Sequence, residues 1–549
     1  MTKSVFMDTI FGILIMDLYN LNLGEIFTMA KAKEEKSMES VLWDSCNKLR
    51  GSVEPSEYKH VILSLIFLKY ANDKFDEQRE KMIAEGKQPQ FLEITSFYAK
   101  DNVFFIPEKA RWKYLMIHAK QDDIAITIDT ALHEIEMKNA SLSGALPDNY
   151  YSRLQLDAGV LASLLDKMNQ IKLKNESDKD VFGRIYEYFL SHFAIQEGKG
   201  KGEYYTPKTV VALLCELIEP YSGIVYDGAC GSGGMFVQSM KFIDEHKGNK
   251  KAISVYGQEY TATTRKLALM NLAIRGINAN LGEKAASTFT NDLHKDLKAD
   301  FALMNPPFNQ KGWREENELT DDARWKGYDI PPTGNANYAW ILNFVSKLSQ
   351  NGVGCLLLAN GALSADGNEY KIRKQLIEND LVEAIFILPG KMFYSTDISV
   401  TIWLFNKNKH ARTIERKGFS VSYRARENEV LFVDLRRKGH PYEKKYIEFT
   451  PDDRKEIVST YHSWKSADTN EYKDKKEYCR SVKKSEIVEK DYSLVPSKYI
   501  EFDRKVDELD YEAEMEKIQA ELTSLFVQEN ESKKALALVM EELGYGIKL

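Results

Sequence analysis

Residues 227–234 read DGACGSGG, and this stretch decides the fold. A short apolar run, 224–226, comes before it, and a helical pattern over 235–246 follows, so the sequence predicts a strand, a glycine loop and a helix in succession. Glycines let the backbone approach a ligand closely and adopt positive φ. The start of the helix adds unpaired N–H groups. The stretch therefore predicts a ligand-binding loop after a buried strand.

Such a loop could bind a dinucleotide, a phosphate or an adenosyl cofactor, or it could be a plain tight turn. A dinucleotide fingerprint G-x-G-x-x-G that begins at Gly231 would require glycine at Phe236. A phosphate loop would require a lysine, and residues 227–234 contain none. Both patterns fail, which favours an adenosyl cofactor over the other two ligand classes.

Strands continue to alternate with helices beyond this loop. Further strands are predicted at 253–256, 301–304, 354–359, 382–388 and 399–405, and helices at 207–218 and 261–275. This alternation predicts a parallel sheet covered by helices, with ligands at the carboxyl ends of its strands. Glu259, at the end of the second strand, suits ribose hydroxyls, and Asp292 suits an adenine amino group.

Asn305-Pro306-Pro307-Phe308 directly follows the strand at 301–304. The prolines fix φ and remove two N–H donors, so carbonyl acceptors accompany the Asn305 side-chain oxygen. Phe308 adds a flat aromatic face. These features indicate a socket for a planar ring with an exocyclic amine, whose protons the acceptors bind while its nitrogen attacks an electrophilic methyl group.

Composition bounds the alternatives. The chain has 549 residues, which predicts about three to five structural units. Its net charge of −7 argues against a protein that grips nucleic acid by itself. Five scattered cysteines exclude a disulfide scaffold and a zinc ribbon, predict no metal site and fit a reducing cytoplasm. Neither a membrane span nor a signal peptide is expected.

The motifs together resemble those of S-adenosylmethionine-dependent amino-methyltransferases, and closely the methylation subunits of type I restriction-modification systems. The resemblance covers the chain from about Met38. It rests on DGACGSGG and NPPF together with GEYYTPK (202–208), GQE (257–259), RKLALMN (265–271), GNANYAWI (334–341), LPGKMFYSTDIS (388–399) and SLVPSKYI (493–500). One departure is Gly228, where relatives commonly have proline.

The resemblance implies an α/β fold: a Rossmann-like methyltransferase sheet covered by helices, after an all-helical N-terminal domain and before a helical C-terminal tail. The expected boundaries are 29–170 for the helical domain, 171–490 for the methyltransferase domain and 491–549 for the tail. Residues 1–28 are expected to be a non-native extension, with the physiological start at Met29.

The implied activity is transfer of a methyl group from S-adenosylmethionine to N6 of adenine in DNA. The catalytic residues would be Asn305, Pro306, Pro307 and Phe308. The cofactor-binding residues would be Glu203, Tyr204, Tyr205, Thr206, Pro207, Lys208, Asp227, Gly231, Ser232, Gly233, Gly234, Glu259 and Asp292. The implied partners are double-stranded DNA, a specificity subunit bound by two copies of this chain, and a restriction subunit.

Three alternatives remain at this point. Methylation of N4 of cytosine uses a similar site, though usually with serine in place of asparagine. A protein-glutamine methyltransferase also suits an Asn-Pro-Pro socket. The third alternative is a methyltransferase-like scaffold that binds DNA without turnover.

The acidic charge lies in the C-terminal segment. Residues 501–549 contain 13 acidic and 6 basic residues, so this segment carries the whole net charge and the preceding 500 residues are neutral. An apolar stripe along 506–543 predicts a helix that either is solvated or docks onto a partner. We expect it to bind the specificity subunit, which would then make most of the sequence-specific contacts with DNA.

Overall fold

The computed structural model of the protein describes residues 37–47, 55–171, 181–197, 205–416, 419–442, 445–468, 471–502 and 511–542. The predicted extension at 1–28, the alternative start Met29, and the expected cofactor residues Glu203 and Tyr204 lie outside the described residues. Internal contacts divide the chain into two compact units, the first of which ends at Ile500. None of the helices in the described ranges has the length and apolar character to span a membrane.

Helices make up the N-terminal part of the first unit. They are α1 (Met38–Asn47), α2 (Pro55–Ala84), α3 (Thr95–Ala99), α4 (Trp112–His118), α5 (Ile124–Lys138), α6 (Tyr150–Leu154), α7 (Ala158–Met168) and α8 (Val181–Glu197). α2 is buried on all sides in its first half, where Val61, Leu63, Leu65 and Phe67 are completely buried together with the residues between them. At α7, Asp157 caps the first turn by accepting hydrogen bonds from two backbone N–H groups. One apolar core joins these helices and includes α8.

Nine strands form one sheet among the residues that the structure describes. They are β1 (Gly223–Asp227), β2 (Ile253–Gly257), β3 (Ala279–Asn280), β4 (Ala299–Met304), β5 (Leu348–Ala359), β6 (Val382–Ile387), β7 (Val400–Asn406), β10 (Glu429–Asp434) and β13 (Cys479–Lys483). Their order is β13-β10-β6-β7-β5-β4-β1-β2-β3. Helices cover the sheet: α9 (Lys208–Ile218), α10 (Gly234–Glu245), α11 (Ala262–Ile274), α12 (Asn337–Lys347), α13 (Gly367–Glu378), α14 (Pro451–Lys465) and α15 (Lys484–Glu489). The expected fold class is confirmed.

The expectation of a fully parallel sheet is wrong at two strands. β7 runs antiparallel to both of its neighbours, β5 and β6, and β13 runs antiparallel to β10. The physical reason at β7 is its connection: residues 388–399 join it to β6 without a helix, and a parallel neighbour would need a crossover. β7 therefore inserts between β5 and β6 with its direction reversed.

Two small hairpins lie outside the main sheet in the charged region beyond residue 410. β8 (Arg412–Arg416) pairs with β9 (Phe419–Tyr423), and β11 (His440–Tyr442) pairs with β12 (Tyr446–Glu448). The weak periodicity of this region gave no signal for these strands or for β10 and β13.

The second unit contains one long helix, α16 (Tyr511–Glu542). Apolar side chains at Met515, Ile518, Leu522, Leu525 and Leu536 are between 42% and 59% exposed. Their spacing follows the a and d positions of a heptad repeat, with two turns between Leu525 and Leu536 where polar residues take those positions. Phe526, Val527 and Leu538, outside these positions, are exposed as well, so the helix presents this seam within a broader apolar surface.

Candidate active site

The two motif loops leave neighbouring strands at the point where the strand order reverses. In the sheet, β2 and β3 lie on one side of β1, and β4 and β5 lie on its other side. β1 and β4 are parallel and adjacent, so the glycine loop (228–233) and the loop that follows β4 (305–310) emerge side by side. Open α/β sheets bind ligands at such switch points.

Backbone hydrogen bonds fix the glycine loop against the end of β2. The Gln258 N–H donates to the Asp227 carbonyl, and the Cys230 N–H donates to the Gln258 carbonyl, both at 3.0 Å. Gly231 and Gly233 have φ of 52° and 79°, in the left-handed region that favours glycine. Gly233 also caps α10. The glycines at these two positions are therefore required by the path of the loop.

The Glu259 side chain links the glycine loop to the residues that follow β2 through two hydrogen bonds. Its Oε2 accepts a hydrogen bond from the Gly231 N–H at 3.1 Å, and its Oε1 accepts one from the Thr261 N–H at 2.8 Å. The carboxylate lies just beyond the end of β2, where the sequence predicted a ribose ligand. It borders a cavity of about 700 Å³, which we call the Glu259 cavity and which falls in the size range of small-molecule sites.

A second, smaller cavity lies beside the first, and we call it the glycine-loop cavity. Its lining includes Glu187, Tyr205, Lys208, Cys230, Ser232 and Arg275. Ala229, Gly231 and Asn305 line both cavities. The two cavities therefore meet at the glycine loop and at Asn305.

The structure does not bring Asp292 to either cavity. Its Oδ2 pairs with Lys347 Nζ at 2.6 Å, and its Oδ1 accepts from the His294 N–H at 2.9 Å. Both partners of the ion pair are almost completely buried. Residues 287–290 line the Glu259 cavity instead. Asp292 therefore pairs with Lys347, residues 287–290 face the cavity, and the adenine contact of Asp292 stays a prediction.

Burial is the main cause of the shifted pKa of Asp227, the last residue of β1 before the glycine loop. It raises the pKa of Asp227 to about 8, although a hydrogen bond from the Ala229 N–H at 2.9 Å opposes the shift. Burial also raises the pKa of the Cys230 thiol well above its usual range. Both groups are therefore largely protonated at neutral pH, and Cys230 is not an activated nucleophile.

Asn305 is held in one orientation. Its Nδ2 donates a hydrogen bond to Thr206 Oγ1 at 2.8 Å. Its Oδ1 is buried and has no hydrogen-bond partner among the described residues. A buried carbonyl without a donor is costly unless a ligand supplies one. α9 begins at Lys208 with Pro207 as its N-cap, and no side chain caps its first turn. The hydroxyl of Thr206 serves Asn305 instead.

The rest of the Asn-Pro-Pro-Phe motif is braced from two sides. Pro306 is buried, while Pro307 and Phe308 are half-buried. The Phe308 ring meets Phe393 edge-on, with ring centroids 6.3 Å apart. Just beyond the motif, Asn337 accepts a hydrogen bond from the Asn309 N–H at 3.0 Å. This contact explains why the GNANYAWI segment accompanies the motif.

Tyr205, just before α9, and Lys208, its first residue, both reach the site. The Tyr205 ring is parallel to Tyr394, at an interplanar angle of 7° and a centroid distance of 5.9 Å. Lys208 Nζ lies 3.4 Å from a carboxylate oxygen of Glu187. Tyr205, Thr206 and Lys208 all line the glycine-loop cavity.

Several residues of the site had no role in the sequence prediction. Asn271 Nδ2 donates to the Ser232 carbonyl at 2.7 Å and so supports the glycine loop from α11. Phe393, Glu187 and Phe289 also contact the loops or line the cavities. RKLALMN and LPGKMFYSTDIS were recognised as motifs, but neither carries a local signal that assigns a role to one residue. No group of acidic, histidine or cysteine side chains in the described part of the chain could hold a metal ion.

Comparison with known proteins extends these observations. Residues 177–508 match the family model for N-6 DNA methylase, and residues 38–168 match the HsdM N-terminal domain. The chain is 39% identical to the type I restriction enzyme HindI methylase subunit of Haemophilus influenzae, over 80% of this chain and all of that protein. It is 31% identical to the MjaIX methylase subunit of Methanocaldococcus jannaschii, over 92% of this chain and 91% of that protein.

A solved structure supports the fold. The type I restriction-modification methyltransferase subunit of Streptococcus thermophilus superposes with a TM-score of 0.69 at 22% identity, covering 85% of this chain and 99% of that one. The family model alone spans more than half of the chain. On this evidence the chain belongs to the N6-adenine DNA methyltransferases that serve as methylation subunits of type I restriction-modification systems.

Proposed function

We propose that the chain takes its methyl group from S-adenosylmethionine and that residues 305–308 hold the target adenine. The observation that carries this proposal is the position of Asn305, where the Glu259 cavity and the glycine-loop cavity meet. A ligand that occupied both cavities would have its middle at this residue. The unpartnered Asn305 Oδ1 supplies an acceptor there.

The residues present fit the cofactor. In the Glu259 cavity, Glu259 would bind the ribose hydroxyls, and Phe289 offers an aromatic surface for the adenine ring. In the glycine-loop cavity, the loop backbone together with Tyr205, Thr206 and Lys208 would hold the methionine part, and Glu203, Tyr204 and Pro207 stay cofactor-binding predictions from the sequence. When bound, S-adenosylmethionine supplies an electrophilic methyl group on a positively charged sulfur.

The target adenine has to leave the double helix to reach this site. Its amino group is otherwise engaged in base pairing, and extrusion costs a few kcal/mol. Stacking on Phe308 would offset part of this cost. Phe393, which meets Phe308 edge-on, would form a second aromatic wall of the socket.

Asn305 and Pro306 would orient the amine. The Asn305 Oδ1 would accept one amine proton and the Pro306 carbonyl the other, which places the nitrogen for attack. These fixed oxygen dipoles also stabilise the positive charge that develops on the nitrogen. The proton is lost after methyl transfer, so the site needs no strong base, and the protonated Asp227 is not required to act as one.

Methyl transfer to DNA, followed by analysis of the labelled nucleoside, tests this proposal. The chain is co-purified with its specificity subunit and incubated with DNA and S-adenosylmethionine labelled in the methyl group. We expect the label in N6-methyl-2′-deoxyadenosine after DNA hydrolysis, and N4-methyl-2′-deoxycytidine or no product would contradict the proposal. Asn305→Ala should lower the rate by about 100-fold or more and retain S-adenosylhomocysteine binding.

A matched control is available on the same sheet. Asn351 is exposed at the opposite end of β5, away from the motif loops. Asn351→Ala should methylate at the wild-type rate. If the two substitutions had equal effects on the rate, the special role of Asn305 would be refuted.

Binding of the specificity subunit is assigned to α16. Its seam of Met515, Ile518, Leu522 and Leu525 is exposed, and a heptad seam of this kind is buried against another helix in coiled coils. We propose that two copies of this chain bind one specificity subunit through this helix and that a restriction subunit joins the complex. Deletion of residues 506–549 should abolish co-purification with the specificity subunit.

The cellular setting follows from the substrate. All five cysteines are buried and unpaired, as expected in a reducing compartment. We place the protein in the cytoplasm, where it would meet chromosomal and incoming DNA.

A further inference from the structure

The glycine-loop cavity contains a charged cluster that methyl transfer itself does not use. Its members are Glu187, Lys208 and Arg275. Glu187 belongs to α8, whose apolar face is part of the N-terminal helical core. A carboxylate from the helical region therefore faces a cavity of the methyltransferase fold.

The carboxylate of Glu187 makes only long contacts with the described residues around it. Its Oε2 lies 3.4 Å from Lys208 Nζ and 3.7 Å from Arg275 Nη2, and its Oε1 accepts from Gln238 Nε2 at 3.4 Å. Charge-assisted hydrogen bonds are usually about 2.7–2.9 Å long, and the buried Asp292–Lys347 pair has one of 2.6 Å. Glu187 thus retains capacity for a cationic donor that approaches more closely.

The guanidinium of Arg275 is already hydrogen-bonded within the protein. Its guanidinium donates to the Gly183 carbonyl at 2.6 Å and to the side-chain oxygen of Asn271, and its side chain is only 9% exposed. Asn271 in turn donates to the Ser232 carbonyl. Arg275 therefore positions α8 and the glycine loop relative to each other. Lys208, whose side chain is 48% exposed, is the cation of the cluster that can meet a ligand.

Asp227, the other carboxyl group that lines this cavity, suits a cation poorly. It is buried, accepts a hydrogen bond from the Ala229 N–H, and has a pKa of about 8. Glu187 is the carboxyl group of this lining that pairs with cationic side chains, since its Oε2 faces both Lys208 and Arg275. One anion and one accessible cation, 3.4 Å apart, match the two charges of an amino-acid zwitterion.

We propose that Glu187 and Lys208 form the recognition site for the amino-acid end of the methyl donor, with Glu187 binding the α-ammonium group and Lys208 the α-carboxylate. This inference rests on the proposed use of S-adenosylmethionine and adds a residue from α8 to its site. It makes the helical region a direct participant in cofactor selection. These two charges would give nucleosides that lack the amino-acid end a lower affinity for the site.

Binding of two ligands tests the proposal. S-adenosylhomocysteine carries the amino-acid end, and 5′-methylthioadenosine keeps the adenosine and the thioether without it. Calorimetry on the full chain should show that Glu187→Gln weakens S-adenosylhomocysteine binding by about 10- to 100-fold, while methylthioadenosine affinity stays within about twofold. Glu187→Asp, which keeps the charge, should have a smaller effect. Glu245→Gln, at an exposed position on α10, is the matched control and should change neither affinity.

Ligands that lack one charge separate the two roles. Glu187→Gln should weaken decarboxylated S-adenosylhomocysteine but not the deaminated analogue, and Lys208→Met should do the reverse. Equal losses for S-adenosylhomocysteine and methylthioadenosine would show a structural role and overturn the proposal, as would an unchanged affinity for S-adenosylhomocysteine. If the wild-type chain bound neither ligand, the proposed cofactor itself would be refuted.

Discussion

Thr206→Val isolates the hydrogen bond that orients Asn305. Valine has nearly the same shape as threonine but no hydroxyl, so the Asn305 Nδ2 would lose its acceptor at 2.8 Å. A buried donor without a partner costs about 1–3 kcal/mol. Rotation of the amide would relieve this cost, but it would present N–H groups to the adenine amine in place of Oδ1. We therefore expect the rate of methyl transfer to fall by about 5- to 150-fold.

The assay is single-turnover methylation by the complex with its specificity subunit, at saturating S-adenosylmethionine. Thr206→Ser keeps the hydroxyl and should stay within about twofold of the wild-type rate. S-adenosylhomocysteine affinity separates this role from the expected one in cofactor binding, and it should change little in either variant. A wild-type rate for Thr206→Val, or a loss confined to cofactor affinity, would refute the reasoning.

Three further predictions concern the glycine loop, the base socket and the C-terminal helix. Asp227 has a folded pKa of about 8, above its unfolded value, so its contribution to stability is full at low pH and is lost as the pH rises towards 8. In urea unfolding, the stability of Asp227→Asn relative to wild type should therefore increase by up to about 1.4 kcal/mol per pH unit between pH 5 and 8. A difference that stayed constant with pH would contradict this. Phe308→Ala and Phe393→Ala should weaken capture of 2-aminopurine at the target position by about 10- to 100-fold without changing cofactor affinity. Leu522→Asp with Leu525→Asp should abolish co-elution with the specificity subunit and preserve S-adenosylhomocysteine binding.

Local patterns were sufficient to predict the centre of the sheet. The apolar runs that became β1, β2 and β4 are short, and glycine or proline marks their ends, so both the strands and the loops after them were readable. The strand alternation also placed the glycine loop and Asn305 at one edge before any contact was known. Loops at the ends of parallel strands can be inferred from order alone, because the sheet brings those ends together.

Contacts between distant residues left no such local pattern. Asp292 pairs with Lys347, 55 positions away, and nothing near either residue predicts that bond. Thr206 and Asn305 are separated by 99 positions. The reversal of β7 depends on the path of residues 388–399, which reads equally well as a crossover or as a direct return. Roles that depend on such pairs required the structure.

Gly228, where relatives commonly have proline, is explained by the side chains around it. A Cβ at this position would lie 2.6 Å from the Tyr226 hydroxyl and 3.0 Å from Met304. A proline here would require both side chains to move. Tyr226 thus fills the space beside the loop, and the departure from the usual proline is matched by a bulky neighbour two residues earlier.

The central claim is that Asn305 Oδ1 accepts a hydrogen bond from the amino group of the target adenine. The most direct measurement is the distance between these two atoms in an experimental structure of the complex with S-adenosylhomocysteine and DNA that contains the target site. We predict a separation of about 2.7–3.2 Å, with the adenine beside Phe308. An extruded adenine whose amino nitrogen lay beyond hydrogen-bond distance of Asn305 and was held by other residues would contradict the account.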